Sequence, residues 1–231
     1  MSKSDFSSFN YYFEPFRLRT DNLLFVGCPH LDHAKDFILG PRGYLTVQEA
    51  NHSFITNWNQ VSNEETSAFC LGDTMFGYGG EDKFCKFFSQ LRAKEFFCMS
   101  GNHYAGFKQV FKKAIELTGV PIYPLEDGRF IHLIPNYFEL VGGERTKKTL
   151  ILSHYPHLSW NSMSKNTVHL FSHVHGNLVR SELGRAYLKS DNKKLEVSVE
   201  NSIKINNGLP FTLSDVIKFT ENCGDSTPDH H

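Results

Sequence analysis

The sequence predicts an α/β fold built in layers, and three observations carry that expectation. Five short apolar runs read as buried strands: "NLLFVG" (22–27), "SAFCLG" (67–72), "EFFCMSG" (95–101), "KTLILS" (148–153) and "HLFS" (169–172). Between several of them, apolar residues recur at threes and fours, the period of a helix with one buried face. Each run also stops at polar, metal-capable side chains, and in layered α/β folds ligands gather at the carboxyl ends of strands.

Taken in order, "TVQEANHSFITNWNQV" (46–61) spaces Val47, Ala50, Phe54, Trp58 and Val61 along one helical face. Thr46 followed by Glu49 makes a capping box at its start. "EDKFCKFFSQLR" (81–92) and "GFKQVFKKAIELTG" (106–119) repeat the period, the second stopped by Gly119 and Pro121. The second half is richer in strands: "RFIHLI", "YFELV", "TLILS", "VHLFS" and "LEVSVE" (195–200), with a last helix at "LSDVIKFT" (213–220). "GGERTKKT" (142–149) reads as a solvated hairpin turn. The chain divides into an N-terminal extension (1–21), one domain (22–222) and a flexible tail (223–231) that ends in His230 and His231. Phe6, Phe9, Tyr11, Tyr12, Phe13 and Phe16 make the extension aromatic, and an added strand is the preferred reading of it.

Composition narrows the function. Twenty-four Lys plus Arg against 25 Asp plus Glu leave net charge near zero, so no broad grip on long nucleic acid or an anionic membrane is expected. No apolar run approaches the roughly 20 residues of a spanning helix, and the N-terminus lacks a signal peptide's apolar segment. The five cysteines (28, 70, 85, 98 and 223) form no C-x-x-C pair, which points to reduced thiols in a cytoplasm. His132 and His169 read as satisfied core histidines, and His52 as a surface residue on a helix.

The strand ends supply Cys28, His30, Asp73, Asn102, His103, His154, His173 and His175. Imidazole and carboxylate suit zinc, iron or manganese, whereas an Asn carbonyl is foreign to structural zinc. Eight such groups exceed one tetrahedral ion and suit two adjacent ions, of the kind that activate water and clamp phosphate oxygens. The wording then resembles a family. "LGDTMFG", "SGNHY", "LSHYPHLSW" and "FSHVHGN" are similar, in order, to the G-D, G-N-H, H and G-H-x-H motifs of calcineurin-like metallophosphoesterases, with "CPHLDH" where that family has D-x-H. The resemblance covers roughly residues 22–220.

That resemblance implies a four-layer α/β/β/α sandwich with a dinuclear site at its edge. By position, Cys28, His30 and His175 hold one divalent ion, Asn102, His154 and His173 the other, and Asp73 bridges them. His103 serves as the catalytic histidine, and Asn102, His103 and Tyr104 meet the substrate. The implied reaction is hydrolysis of a phosphomonoester or small nucleotide-like phosphodiester by water activated at the metals. Three positions depart from the family: Cys28 replaces its first Asp, Tyr104 the acid after G-N-H, and Ser172 the Gly before H-x-H. Cys28 matters most, since a thiolate favours zinc or iron over magnesium. It also supports the rival reading, a scaffold that keeps the fold and binds a partner without catalysis. His33, Tyr155, His157 and Asn177 flank the motifs and could touch substrate.

Overall fold

The computed structural model describes residues 15–75, 80–103, 105–145 and 147–224. They form a mixed α/β fold with two mixed sheets. The six-stranded sheet carries β2 (Leu23–Val26), β3 (Ser67–Cys70), β4 (Glu95–Cys98), β5 (Ile122–Pro124), β6 (Phe130–Leu133) and β11 (Phe211–Thr212), in the order β11-β2-β3-β4-β6-β5. The five-stranded sheet holds β1 (Phe16–Leu18), β7 (Tyr137–Gly142), β8 (Lys148–Ser153), β9 (Val168–Phe171) and β10 (Lys194–Glu196), in the order β1-β7-β8-β9-β10. β2, β3, β4 and β6 run parallel, so their carboxyl ends lie along one edge; β8, β9 and β10 are likewise mutually parallel.

Successive side chains point to opposite faces, and both faces are buried, so these strands are continuous apolar runs. One face of the six-stranded sheet presents Phe25, Phe69, Phe97 and His132 in register, stacked at 5.4, 4.6 and 4.6 Å between ring centroids. This ladder belongs to a core shared with Phe138, Leu140, Leu150, Leu152, Val168 and Leu170, so the two sheets face each other. The opposite face presents Leu24, Val26, Ala68, Cys70, Phe96 and Cys98 to three helices: α2 (Val47–Val61), α3 (Gly80–Phe88) and α4 (Ala105–Thr118). Most of the Phe richness is thus core, and His132, whose Nε2 lies 3.3 Å from the Glu95 carboxylate, is a core histidine as expected. So is His169, which is fully buried between the Ile151 carbonyl and the His157 backbone N–H.

The remaining helices are α1 (Asp36–Arg42), α5 (Glu182–Lys189), α6 (Val199–Ile205) and α7 (Leu213–Thr220). The expected helices at 46–61 and 213–220 form where predicted, and Thr46 caps α2 by accepting the Glu49 N–H. "LEVSVE" is corrected: β10 stops at Glu196, and Ser198 caps α6 through the Asn201 N–H, turning Glu200 into a first-turn helical residue. A serine in extended backbone ahead of an acid is a helix start, and that signal outweighs alternation. The extension contributes β1, parallel to β7, with Phe16 in the shared core; Phe6, Phe9, Tyr11, Tyr12 and Phe13 lie outside the described residues, as do His230 and His231. Among the described residues no helix is long and apolar enough to cross a membrane.

Candidate metal centre

The carboxyl ends of β2, β3, β4, β8 and β9 meet where the edges of the two sheets adjoin, and the loops there are laced together. Cys28 donates its backbone N–H to Gly72 (3.0 Å), His30 to Asp73 (3.0 Å) and Ser172 to His154 (3.1 Å). Close approach explains the motif glycines. A Cβ on Gly72 would stand 2.4 Å from His154 Nδ1, and one on Gly101 would stand 2.2 Å from Asp73 Oδ1. Both also have positive φ, at 92° and 70°. More unusual is that five side-chain-bearing candidates sit in the left-handed region: Cys28 (52°), His30 (50°), Asp73 (51°), His173 (59°) and His175 (51°). Each costs about 1–2 kcal/mol relative to ordinary backbone, and such outliers collect where geometry serves function.

The structure brings Cys28, His30, Asp73, His103, His154 and His175 together as three overlapping ligand trios. These are Cys28–His30–His175, Cys28–Asp73–His154 and His30–Asp73–His103, each with its donor atoms within 4.8 Å of one another. Asn102 Oδ1 lies 2.9 Å from His154 Nε2. His173 belongs to none of the trios; its ring packs against His154 (5.0 Å) and Tyr155 (4.5 Å), while its backbone N–H points to Cys28 Sγ at 3.2 Å. Tyr104 lies outside the described residues. His103 and Asn102 are exposed, whereas Cys28, Asp73 and His154 are almost fully buried.

Proton bookkeeping defines what converges here. His154 Nδ1 lies 2.8 Å from the Leu71 carbonyl, which can only accept, so Nδ1 carries the hydrogen. Nε2 then faces Asn102 Oδ1 (2.9 Å) and Asp73 Oδ2 (3.5 Å), two acceptors that a second ring proton or a cation would satisfy. His175 repeats the pattern: its Nδ1 faces the Glu200 carboxylate at 2.9 Å, leaving Nε2 to meet His30 Nε2 at 3.2 Å. A histidine oriented through its second nitrogen by a carboxylate or carbonyl is the usual support of a metal ligand. The donor set therefore fits divalent cations.

The electrostatics agree for His30 and His173 and separate Cys28. Burial, with His175 alongside, pulls His30 down to about 3, so it is neutral and able to donate a lone pair. Burial and His154 likewise lower His173. Burial alone would raise Asp73, but His154 and the His103 N–H (2.7 Å) hold it below the usual carboxylate range. Burial, reinforced by the Asp73 charge, pushes the Cys28 thiol well above its ordinary range. Only a cation in contact would make it a thiolate ligand. If Cys28 ligates, Cys28→Ser is expected to weaken one ion by at least the ~10–100-fold that loss of an outer-shell partner costs. Cys28→Asp is expected to keep both ions and shift preference toward manganese or magnesium. Metal titration of both variants decides; unchanged affinity and preference in both would refute ligation.

Sequence reasoning missed Arg42 and Glu200. Their buried ion pair (2.8 Å) lies behind His175, and the guanidinium also donates to the carbonyls of Pro29 (2.6 Å) and Cys28 (2.8 Å). Burial opposes the Glu200 charge, yet His175 and Arg42 bring its pKa down to about 2. No motif marks either residue; the one available hint was a Ser two residues before Glu200, consistent with a helix start. The hydroxyl of Ser172 was also undervalued. It donates to the Leu71 carbonyl (2.7 Å) and sits 3.1 Å from His154 Nδ1, helping to fix that ring.

No family model matches the chain, and no curated protein matches it. Among solved structures it is similar to a crystal structure of a protein of unknown function from Aquifex aeolicus, at 16% identity over 85% of this chain and 98% of that one, with a TM-score of 0.55. At that identity the likeness is one of fold alone.

Proposed function

We propose that this chain is a metal-dependent phosphoric ester hydrolase that holds two divalent cations and acts on a phosphomonoester or a small nucleotide-like phosphodiester. One observation carries the reading most: Cys28, His30, Asp73, His103, His154 and His175 form three overlapping trios whose donor atoms lie within 4.8 Å of one another, a spacing suited to cations. The facing sheets, with helices packed on an outer face, support the four-layer sandwich that the resemblance implies. Cys28, His30 and His175 would hold one cation, Asn102 and His154 the other, with Asp73 between them and His173 alongside. Such cations, when bound, supply Lewis acidity to phosphoryl oxygens and acidify a water.

The chain's own residues supply the rest. Asp73 Oδ1 accepts the His103 backbone N–H at 2.7 Å and so fixes the loop that carries that exposed ring to the mouth of the site. From there His103 donates a proton to the departing oxygen. Glu200, anchored by Arg42, keeps the His175 proton on Nδ1, and Leu71 with Ser172 does the same for His154. Chelation is expected to abolish turnover of a chromogenic phosphate ester, and manganese, zinc or iron to restore it; full activity after exhaustive metal removal would refute the proposal.

The scaffold reading is favoured by one observation, the protonated, fully buried Cys28 thiol. It predicts that no divalent ion raises turnover of any phosphomonoester, diester or nucleotide tested.

A further inference from the structure

A cavity of about 400 Å³ opens directly beside the centre. His30, His103, His175 and the ionised Glu200 of the centre line it together with His33, and the rest has two chemically distinct groups. Phe37, with Ile38 and Pro41 of the same helix, makes an apolar wall. Asn177 and Arg180, around the short 3-10 turn Leu178–Arg180, make a polar one. Phe37 is 70% exposed although it borders this concave site, and its ring meets His33 edge to face at 5.3 Å. No side-chain hydrogen bond or ion pair engages Arg180 or Asn177 among the described residues.

We propose that this cavity receives the nucleoside of a nucleotide substrate, with its base against Phe37 and its polar edge toward Asn177 and Arg180; the proposal rests on the hydrolase reading, which places the phosphate at the histidine end. The volume falls within the range of small-molecule sites. A sugar or polyol phosphate would set hydroxyls against the apolar wall, where Phe37, Ile38 and Pro41 offer no hydrogen-bonding side chain. A base presents a flat π-face and an edge of donors and acceptors, which an aromatic ring, an amide and a guanidinium match together. Phe37 is also well placed structurally. Its helix ends in Arg42, which is pinned to Glu200 and to the backbone of the metal loop, so the aromatic wall and the centre are held in one frame.

Calorimetric binding of adenosine 5′-monophosphate and of ribose 5-phosphate to the metal-free full-length protein tests this without relying on turnover. The nucleotide is expected to bind about 10-fold or more tighter than the sugar phosphate. Phe37→Ala is expected to remove about 10-fold from nucleotide binding and leave ribose 5-phosphate unchanged, whereas Phe37→Trp retains the preference. Arg180→Ala is expected to weaken the nucleotide selectively as well. Because Phe37 is exposed, these variants should melt with the parent, which the same samples can show. Equal affinity for both probes, or a Phe37→Ala variant that still prefers the nucleotide, overturns the proposal. Nucleotide preference in a protein that hydrolyses no phosphate ester would instead overturn the hydrolase reading while leaving the binding site standing.

Discussion

Replacing Arg42 by Ala is expected to destabilise the protein by about 3–5 kcal/mol, the range seen when one partner of a buried ion pair is removed. For a chain of this size that corresponds to a fall in Tm on the order of 10 °C. Both side chains are nearly inaccessible, at 4% for Arg42 and 5% for Glu200, so water cannot replace the lost partner. Glu200 Oε2 already lacks a hydrogen bond, and without the guanidinium His175 would be the carboxylate's one remaining side-chain partner. The substitution also strips donors from the Cys28 and Pro29 carbonyls, next to two residues in left-handed backbone. Arg42→Lys should rescue little, because a point charge cannot reproduce the forked contacts to Glu200, Pro29 and Cys28. The double variant Arg42→Met/Glu200→Gln should lose less than Arg42→Ala alone, since no unpaired charge remains buried. Urea unfolding of the set measures this, and a loss below about 1 kcal/mol for Arg42→Ala would contradict a structural role of that size.

His103→Ala is expected to lower turnover by on the order of 10²–10⁴ if the ring acts as the proton donor. The test is sharp because the backbone contact to Asp73 survives the change, so the loop should stay in place. The ring is exposed, so stability should move by no more than about 0.5 kcal/mol. Its presence in a trio with His30 and Asp73 gives the measurement a second reading. Metal content of the variant should remain that of the parent if His103 only moves a proton. Loss of an ion would make it a ligand instead.

The parts of the structure that were legible in the sequence share a physical cause. β2, β3 and β4 are buried on both faces, which requires unbroken apolar runs, and such runs stand out between polar turns. The residues closing those runs could be recognised because glycine must precede Asp73 and Asn102 where backbone meets a side chain. Helix α1 was not readable: it has seven residues and contains Pro41, a breaker in most sequence contexts, near its end. Arg42 and Glu200 were hidden for a different reason. A lone Arg and a lone Glu far apart in sequence look like ordinary surface charges, and their pairing depends on α1 packing against α6. The positive φ values of Cys28, His30, His173 and His175 were equally invisible, since even histidine, enriched there, adopts that conformation in a small minority of cases.

The span of the Arg42–Glu200 and Cys28–His173 contacts, separated by 158 and 145 residues, bears on how the protein reaches its native state. Closing such loops costs entropy before any contact rewards it, and parallel strand pairing adds further non-local closures. The centre is therefore expected to form late, after the sheets dock, because a chain lacking α6 holds Arg42 and His175 without the carboxylate that joins them. Refolding rates should track the assembly of the sheets, and if the centre holds cations as proposed, regain of their affinity should lag behind it until residue 200 reaches residue 42.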